Sequence, residues 1–520
     1  MTVGAKTLPQ LAWSSGPREE RVYAPVEPAD WLTIRATNEA RHRQCRAKVW
    51  WHRDIPIAHT SGVCIQTEEV SKHMFSSTVS PSPAASDRPP RVLSEQLSGC
   101  VGERVRICGW LHRRRQLKSV TFAIVRDRRG LSQVVVTEPL LRERLAALSE
   151  ESVVEVTGRV VAAEAVPGGV ELTRPQLRVL SEAESPPFDL YRPALRANLP
   201  TLLDHAPISL RHRRRQAVFT VAAAAVSGFR AHLTGRDFVE VHTPKMVGSA
   251  TESGANVFAL DYFGERAYLA QSPQFYKQTL VGVFERVFEV GPVFRAEPHD
   301  TVRHLAQYTS LDVEFGFITS HVEVARLLCG VLTSMLEEVA DRCAGELEHL
   351  GISMPSDPMS TPHIHFTDAL DIVSRGTGED PVGVIDLSPA HERALGRWAL
   401  EEYGSDFLIV SGYPMAKRPF YTAGEEGRPG YSDSFDLLFR GTELVTGGRR
   451  LHRYDDYLAA LSARGESTEP YESYLSVFRH GMPPHGGFAI GMERFVAQLL
   501  GVANIREATL FPRDLHRLTP

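Results

Sequence analysis

The chain has 520 residues and carries 58 Lys and Arg against 63 Asp and Glu, a formal net charge of −5. That balance excludes a polybasic, histone-like protein, and 42% hydrophobic with 23% charged residues are ordinary globular proportions. No run approaches the ~18 apolar residues of a membrane span. The first ten residues hold no apolar leader core. The six cysteines (Cys45, Cys64, Cys100, Cys108, Cys329, Cys343) form no CxxC pair. At ~150 residues per domain, two to four domains in a reducing, cytoplasmic setting are expected.

Residues 1–90 hold four of the six tryptophans, Trp13, Trp31, Trp50 and Trp51, without a steady apolar period. They close on residues 76–90, where nine of 15 are Ser or Pro. Such a stretch buries too little apolar surface to offset its ordering entropy, so it reads as a linker after a weakly structured extension. Met74, just before the linker, is a candidate internal start.

Residues 91–187 read as a small β domain. Runs rich in β-branched residues stand at 104–111, 121–127, 132–136, 153–161 and 170–173, separated by Gly, Asp and Pro. Leu140–Leu148 reads as a helix. Five strands with a helix after the third predict an oligonucleotide-binding (OB-fold) barrel. Residues 188–205 form a hinge opened by Ser185–Pro193. Residues 206–520 start with a helix over Arg213–Leu233, Ala-rich at its centre and ended by Gly235, then a strand over Phe238–His242. Beyond it strands and helices mix without a βαβ rhythm, which predicts an α+β fold with a mainly antiparallel sheet flanked by helices.

The chain has no Walker A loop and no GxGxxG motif. Its candidates for holding phosphate or carboxylate are arginines, whose planar fork binds either group in bidentate fashion. Residues 289–305 begin as a strand and turn polar with Arg295, Glu297, Arg303 and His304. Residues 486–501 set Glu493 and Arg494 at a strand-to-helix junction after Gly491, where glycine lets a ligand approach the backbone. Asp312 and Glu314, two apart on a strand, face one side. Each arginine alone could be a surface ion pair.

Taken in order, these segments resemble a known family. VFRAE followed by RHL and SLDVEF resembles motif 2 of class II aminoacyl-tRNA synthetases, GFAIGMERF their motif 3, and the 213–233 helix with VEVHTP their motif 1. SATESGANVF, QSPQFYKQ, RPFYT, GTELVTGGRRLH and the terminal IREATLFPRDLHRLTP are similar to aspartyl-tRNA synthetases of the archaeal and eukaryotic type. The resemblance covers roughly residues 91–520. It implies ATP-dependent attachment of aspartate to tRNA through an aspartyl-adenylate, with ATP as substrate and Mg²⁺ as cofactor.

Site roles follow by resemblance. Arg295, Arg494 and Glu443 are the catalytic set. Glu252, Gln274, Lys277, Arg295, Thr446 and Arg450 bind aspartate. Arg295, Ala296, Glu297, Arg303, His304, Leu305, Glu443, Gly491, Met492, Glu493 and Arg494 bind ATP, and Glu443 with Thr446 holds the metal. On the barrel, Phe122 stacks on an anticodon base and Gln133 reads the central one, beside the cations Arg113, Arg114, Arg115 and Lys118. His112 and Pro167 stand where non-discriminating members carry His and Pro, which implies charging of both tRNA(Asp) and tRNA(Asn). The implied partners are those tRNAs, a second copy of the chain and, downstream, a tRNA-dependent amidotransferase; no membrane is implied. Three departures stand out: Thr446 for a common Ser, Arg449 for a usual Gln, and Lys118-Ser119 for paired glycines. A discriminating enzyme and a duplicate with a biosynthetic or resistance role remain as alternatives.

Overall fold

The structure, a computed structural model, describes residues 88–249, 257–380 and 382–520. The tryptophan-bearing extension, Met74, linker residues 76–87 and Glu252 lie outside the described residues.

The first domain is a closed barrel of β1 (Arg104–Gln116), β2 (Thr121–Arg126), β3 (Leu131–Val136), β4 (Val153–Ala162) and β5 (Val170–Ser181), ordered β1-β2-β3-β5-β4. The expected OB-fold is present, with its helix at Pro139–Ala147 after β3. Period-2 alternation builds it: Val105, Ile107 and Leu111 point in and are at most 1% exposed, while Arg106, Cys108 and Trp110 point out. The interior is filled, leaving a dry void of about 10 Å³ walled by apolar side chains such as Leu111, Val125 and Leu177. Two strands outrun expectation. β1 continues past a bulge at Leu111/Arg113 through the Arg-rich run, because β2 pairs with it as far as Gln116↔Thr121. β5 continues from Thr173 to Ser181, because β4 bulges and keeps pairing.

The second domain has an eight-stranded sheet. In chain order its strands are β6 (Val239–Glu240), β10 (Arg286–Phe294), β11 (Gln307–Gly316), β12 (His363–His365), β13 (Phe407–Ser411), β14 (Ser434–Phe439), β15 (Thr442–Arg449) and β16 (His485–Gly491). The hairpin strands β7 (Met246–Val247), β8 (Ala259–Tyr262) and β9 (Glu265–Leu269) form a separate small sheet. Spatial order in the large sheet is β12-β13-β14-β15-β16-β11-β10-β6, antiparallel except for the β12–β13 and β10–β6 pairs at its edges. The Phe238–His242 strand shortens to β6, since beyond Val241 the chain turns toward Pro244, which has no N–H for a ladder.

Helices Arg213–Thr234 and His321–Arg342 cover one sheet face. The first is long and apolar enough to cross a membrane by composition alone. In the fold, ten of its residues are buried, among them Val221, Ala225 and Phe229 at 0% exposure. Its alanines and Gly228 allow a tight crossing: a Cβ on Gly228 would sit 2.5 Å from the Ser334 carbonyl oxygen. Gly235 caps this helix in right-handed geometry, and the left-handed residue after it is Asp237.

Candidate active site

A cavity of about 650 Å³ opens on the sheet between β11, β15 and β16. Its wall includes Gln274, Lys277, Arg295, Glu297, Arg303, His304, Leu305, Glu443, Thr446, Arg450, Gly491, Glu493 and Arg494. Sequence-distant candidates thus converge on one pocket of ligand size. Ala296 and Met492 are not part of the wall, and Met492 packs on the hydrophobic core instead.

One end of the cavity is a buried charge quartet. Lys277, on helix Gln274–Phe284, is 2% exposed. Its Nζ lies 3.0 Å from Asp312 Oδ1 and 3.3 Å from Glu314 Oε2. Arg450 Nε donates to Glu314 Oε1 at 3.0 Å, and its fork also reaches the Gly487 carbonyl at 3.1 Å. Burial by itself would raise the pKa of Glu314; Arg450 and Lys277 outweigh it and hold the carboxyl below its ordinary range. Gly487 makes the arrangement possible, because a Cβ there would lie 2.4 Å from Glu314 Oε2. Behind the quartet, Gln278 Nε2 meets His485 Nε2 at 2.9 Å, and Tyr474 donates to Gln278 Oε1 at 2.8 Å.

The other end gathers the groups suited to a nucleotide. Arg295, at the end of β10, lies with its guanidinium 5.7 Å from the Tyr308 ring centre. His304 Nε2 lies 3.3 Å from Glu297. Desolvation lowers the His304 pKa despite Glu297. Arg494, in the first turn of helix Met492–Leu500, donates to the Glu443 carbonyl at 2.8 Å. Arg303 Nη1 lies 3.4 Å from Glu392 Oε2, which also accepts from the Glu443 N–H at 3.1 Å.

Glu443 has 42% of its side chain open to the cavity, yet protein on the other sides and the neighbouring acids Asp436 and Glu392 push its pKa up. An excess of negative potential beside Thr446 Oγ1, 3.5 Å from Glu443 Oε1, fits a hard cation. Among the described residues no three His, Cys, Asp or Glu side chains are grouped to hold a metal.

Glu493 lines the cavity, and its carboxylate is tied to the protein backbone. Its carboxylate accepts from the Thr309 N–H at 3.0 Å, it is 4% exposed, and burial pushes its pKa up from 4.5 to about 7. Between those values the folded chain holds a proton that the unfolded chain has released, so stability falls as pH rises from 4.5 to 7. We expect Glu493→Gln to gain about 3 kcal/mol relative to wild type over that interval, with the difference flat above it. Urea titrations of both proteins at pH 4.5, 6 and 8 check this; parallel curves would refute it.

Sequence reasoning missed Glu392, Asp433 and Asp436. Asp436 faces Thr446 across the β14–β15 ladder and pairs with Arg418 at 3.0 Å. A single acid in the apolar run Phe435–Phe439 was a readable signal, since a buried carboxylate requires a cation. Arg449 does not face the aspartate pocket. It is held by Asp433, which also accepts from His321, and these partners keep the Asp433 pKa low although burial would raise it.

On the barrel, Phe122 and Gln133 share an outward face, in register through Phe122↔Val135 and Ile124↔Gln133. Gln133 Nε2 donates to Glu171 at 2.9 Å, just after the turn that carries Pro167. His112 is away from that face: its side chain is 13% exposed and lies 3.9 Å from Glu151, which pairs with Arg126 and with Arg211 of the second domain. The expected row of cations is also broken up. Arg114 turns in to cap the carbonyls of Leu145 and Ala146, ending their helix, and Arg113 lies over Tyr191 at 4.0 Å. Lys118 and Ser119 adopt no left-handed backbone, so their hairpin needs no glycines; Arg142 secures it through the Leu117 carbonyl at 2.8 Å.

A closed five-stranded barrel joined to a largely antiparallel sheet whose cavity is lined by Arg295, Arg303, Arg450 and Arg494 is the architecture expected of a class II aminoacyl-tRNA synthetase. Comparison agrees: the family of class II tRNA synthetases (D, K and N) matches residues 198–515, and the OB-fold nucleic acid binding domain matches residues 105–180. The chain belongs to this class II family. It is 47% identical to the aspartate–tRNA(Asp/Asn) ligase of Thermus thermophilus over 431 residues, 83% of this chain and 100% of that one. It is 45% identical to the enzyme of the same name from Deinococcus radiodurans, over 83% and 99%. Among solved structures, the asparaginyl-tRNA synthetase of Pyrococcus horikoshii with asparaginyl-adenylate superposes with a TM-score of 0.76 at 30% identity, covering 82% of this chain and 99% of that one. The aspartyl-tRNA synthetase of Entamoeba histolytica gives 0.75 at 28%, covering 89% and 100%.

Proposed function

We propose that the protein is an aspartate–tRNA ligase that charges both tRNA(Asp) and tRNA(Asn). The observation that carries the amino-acid choice is the buried quartet. Its two cations and two carboxylates balance. Aspartate adds an ammonium for Asp312 and Glu314 and a side-chain carboxylate for Lys277 and Arg450, so the balance is kept. Asparagine would add the ammonium alone and leave an excess buried cation. Gln274 and Glu252 complete the amino-acid side.

The chemistry needs little proton transfer and rests on positioning and charge stabilisation. Arg295 holds the substrate α-carboxylate against the α-phosphate of ATP, so that a carboxylate oxygen attacks phosphorus in line and pyrophosphate leaves. Glu297 binds adenine, Arg494 stacks on it, and Arg303 with His304 holds the outer phosphates. Mg²⁺, held by Glu443 and Thr446, supplies neutralisation of phosphate charge when bound. The terminal ribose hydroxyl of the tRNA then takes the aspartyl group from the adenylate and AMP departs. The working form is a cytoplasmic homodimer, with Pro244 at its interface, and Asp-tRNA(Asn) passes to an amidotransferase.

The dual tRNA range is supported by the names of the Thermus and Deinococcus relatives. It is also supported by Pro167, which has no donor or charge with which to read a base edge beside Gln133. A mismatch normally costs about 1–3 kcal/mol. Here the kcat/KM values for the two tRNAs should lie within about tenfold. Aminoacylation of purified tRNA(Asp) and tRNA(Asn) with aspartate and asparagine is the test, and a preference above about 100-fold for tRNA(Asp) would overturn the dual range. Pro167→Lys combined with His112→Trp should raise that preference. The single Pro167 variant should carry most of the change, because His112 lies off the anticodon face.

A further inference from the structure

We infer that Arg506 is a positioning residue for ATP, the centre of a clamp by which the C-terminal segment holds the phosphate-binding loop. The inference rests on the reading of the cavity as an ATP site. Arg506 is 7% exposed and is not itself part of the cavity wall, although its neighbour Ile505 is, and its guanidinium is shared between the loop and the terminus. Nη2 lies 2.6 Å from Asp300 Oδ1, Nη1 donates to the Thr301 carbonyl at 3.0 Å, and Nε donates to Asp514 Oδ2 at 2.5 Å. The neighbouring Ile505 N–H donates to the Val302 carbonyl at 2.9 Å. On the far side of the loop, the Ala306 N–H donates to the Arg513 carbonyl at 2.7 Å. The stretch 303–305 is therefore fastened at both ends to residues 505–514.

Thr301 transmits the hold. Its Oγ1 lies 2.6 Å from His304 Nδ1 and accepts from the Arg303 N–H at 3.2 Å. An Arg506 bond to the Thr301 backbone thus sets the height of both side chains assigned to the outer phosphates, and through His304 reaches Glu297. A planar, permanently charged fork suits the task, since it satisfies three acceptors in one plane; lysine cannot. A loop held this way costs less ordering entropy when ATP binds, and a displacement of about 1 Å would be felt in catalysis.

The test is ATP–pyrophosphate exchange with aspartate, with KM measured separately for each substrate. Arg506→Lys should raise the KM for ATP about tenfold and leave the KM for aspartate within about twofold, because the quartet is untouched. A residue that merely stabilises the fold would lower the active fraction and move neither KM. Should Arg506→Lys fail to fold, Asp300→Asn removes a loop-side partner whose side chain is 47% exposed, and should move the ATP KM the same way by about threefold. An unchanged ATP KM in the folded variant overturns the inference. A wild-type chain that exchanges no pyrophosphate with aspartate removes the reading of the site as well.

Discussion

Replacing Lys277 with alanine should lower kcat/KM for aspartate by between about 10² and 10³·⁵, the equivalent of about 3–5 kcal/mol for removing one partner of a buried charge pair. The loss has two sources. The substrate carboxylate loses a cation, and Asp312 loses its ion-pair partner while Glu314 keeps Arg450, in a site where all four side chains are nearly inaccessible. The KM for ATP should stay within about threefold, because the nucleotide groups lie at the other end of the cavity. Pyrophosphate exchange at varied aspartate and fixed ATP, then the reverse, separates the two. Unchanged aspartate kinetics would mean that Lys277 is a structural ion pair and no more.

Arg295→Lys should lower kcat about 10³-fold, about 4 kcal/mol, with a small change in thermal stability. In the proposed mechanism Arg295 carries the step itself, with one guanidinium spanning the attacking carboxylate and the phosphate on which charge develops. Lysine retains the charge but presents it as a point, so it cannot hold two planar acceptors in register. Single-turnover formation of the adenylate isolates this step from tRNA charging. A rate within tenfold of wild type would remove Arg295 from the chemistry.

The parts of the site that were legible in the sequence are those whose chemistry is local. Asp312 and Glu314 could be read because the strand period sets them on one side, and β11 does so. Glu493 and Arg494 could be located because Gly491 marks the junction between strand and helix, as found at β16. Their contacts were less legible: the hydrogen bond from the Thr309 N–H to the Glu493 carboxylate has no signal in the local sequence. The barrel was readable from five β-rich runs, but their lengths were not: pairing across bulges, a tertiary effect, carries β1 and β5 further than their own residues suggest. Arg114 looks like its neighbours in sequence, and only the packing of helix Pro139–Ala147 turns it inward. Glu392 had no local signal at all. It comes from helix Pro389–Tyr403 and meets Arg303, 89 residues away, through the fold alone.

The pairing of Arg449 with Asp433 has a consequence for how this chain varies. Arg449 stands directly beside Arg450, so a lone cation at that position would compete for Glu314 or repel its neighbour. Asp433 removes that conflict by taking the charge to the other side of β15, and His321 fixes the carboxylate in place. The two positions therefore form one epistatic unit. Changing Arg449 alone leaves the buried Asp433 carboxylate with His321 as its remaining charged partner, whereas changing both together to a neutral pair removes the interaction and its counterpart in a single move. Tolerance of a substitution at position 449 should therefore depend on the residue at position 433, while the Lys277–Arg450 quartet shares neither partner.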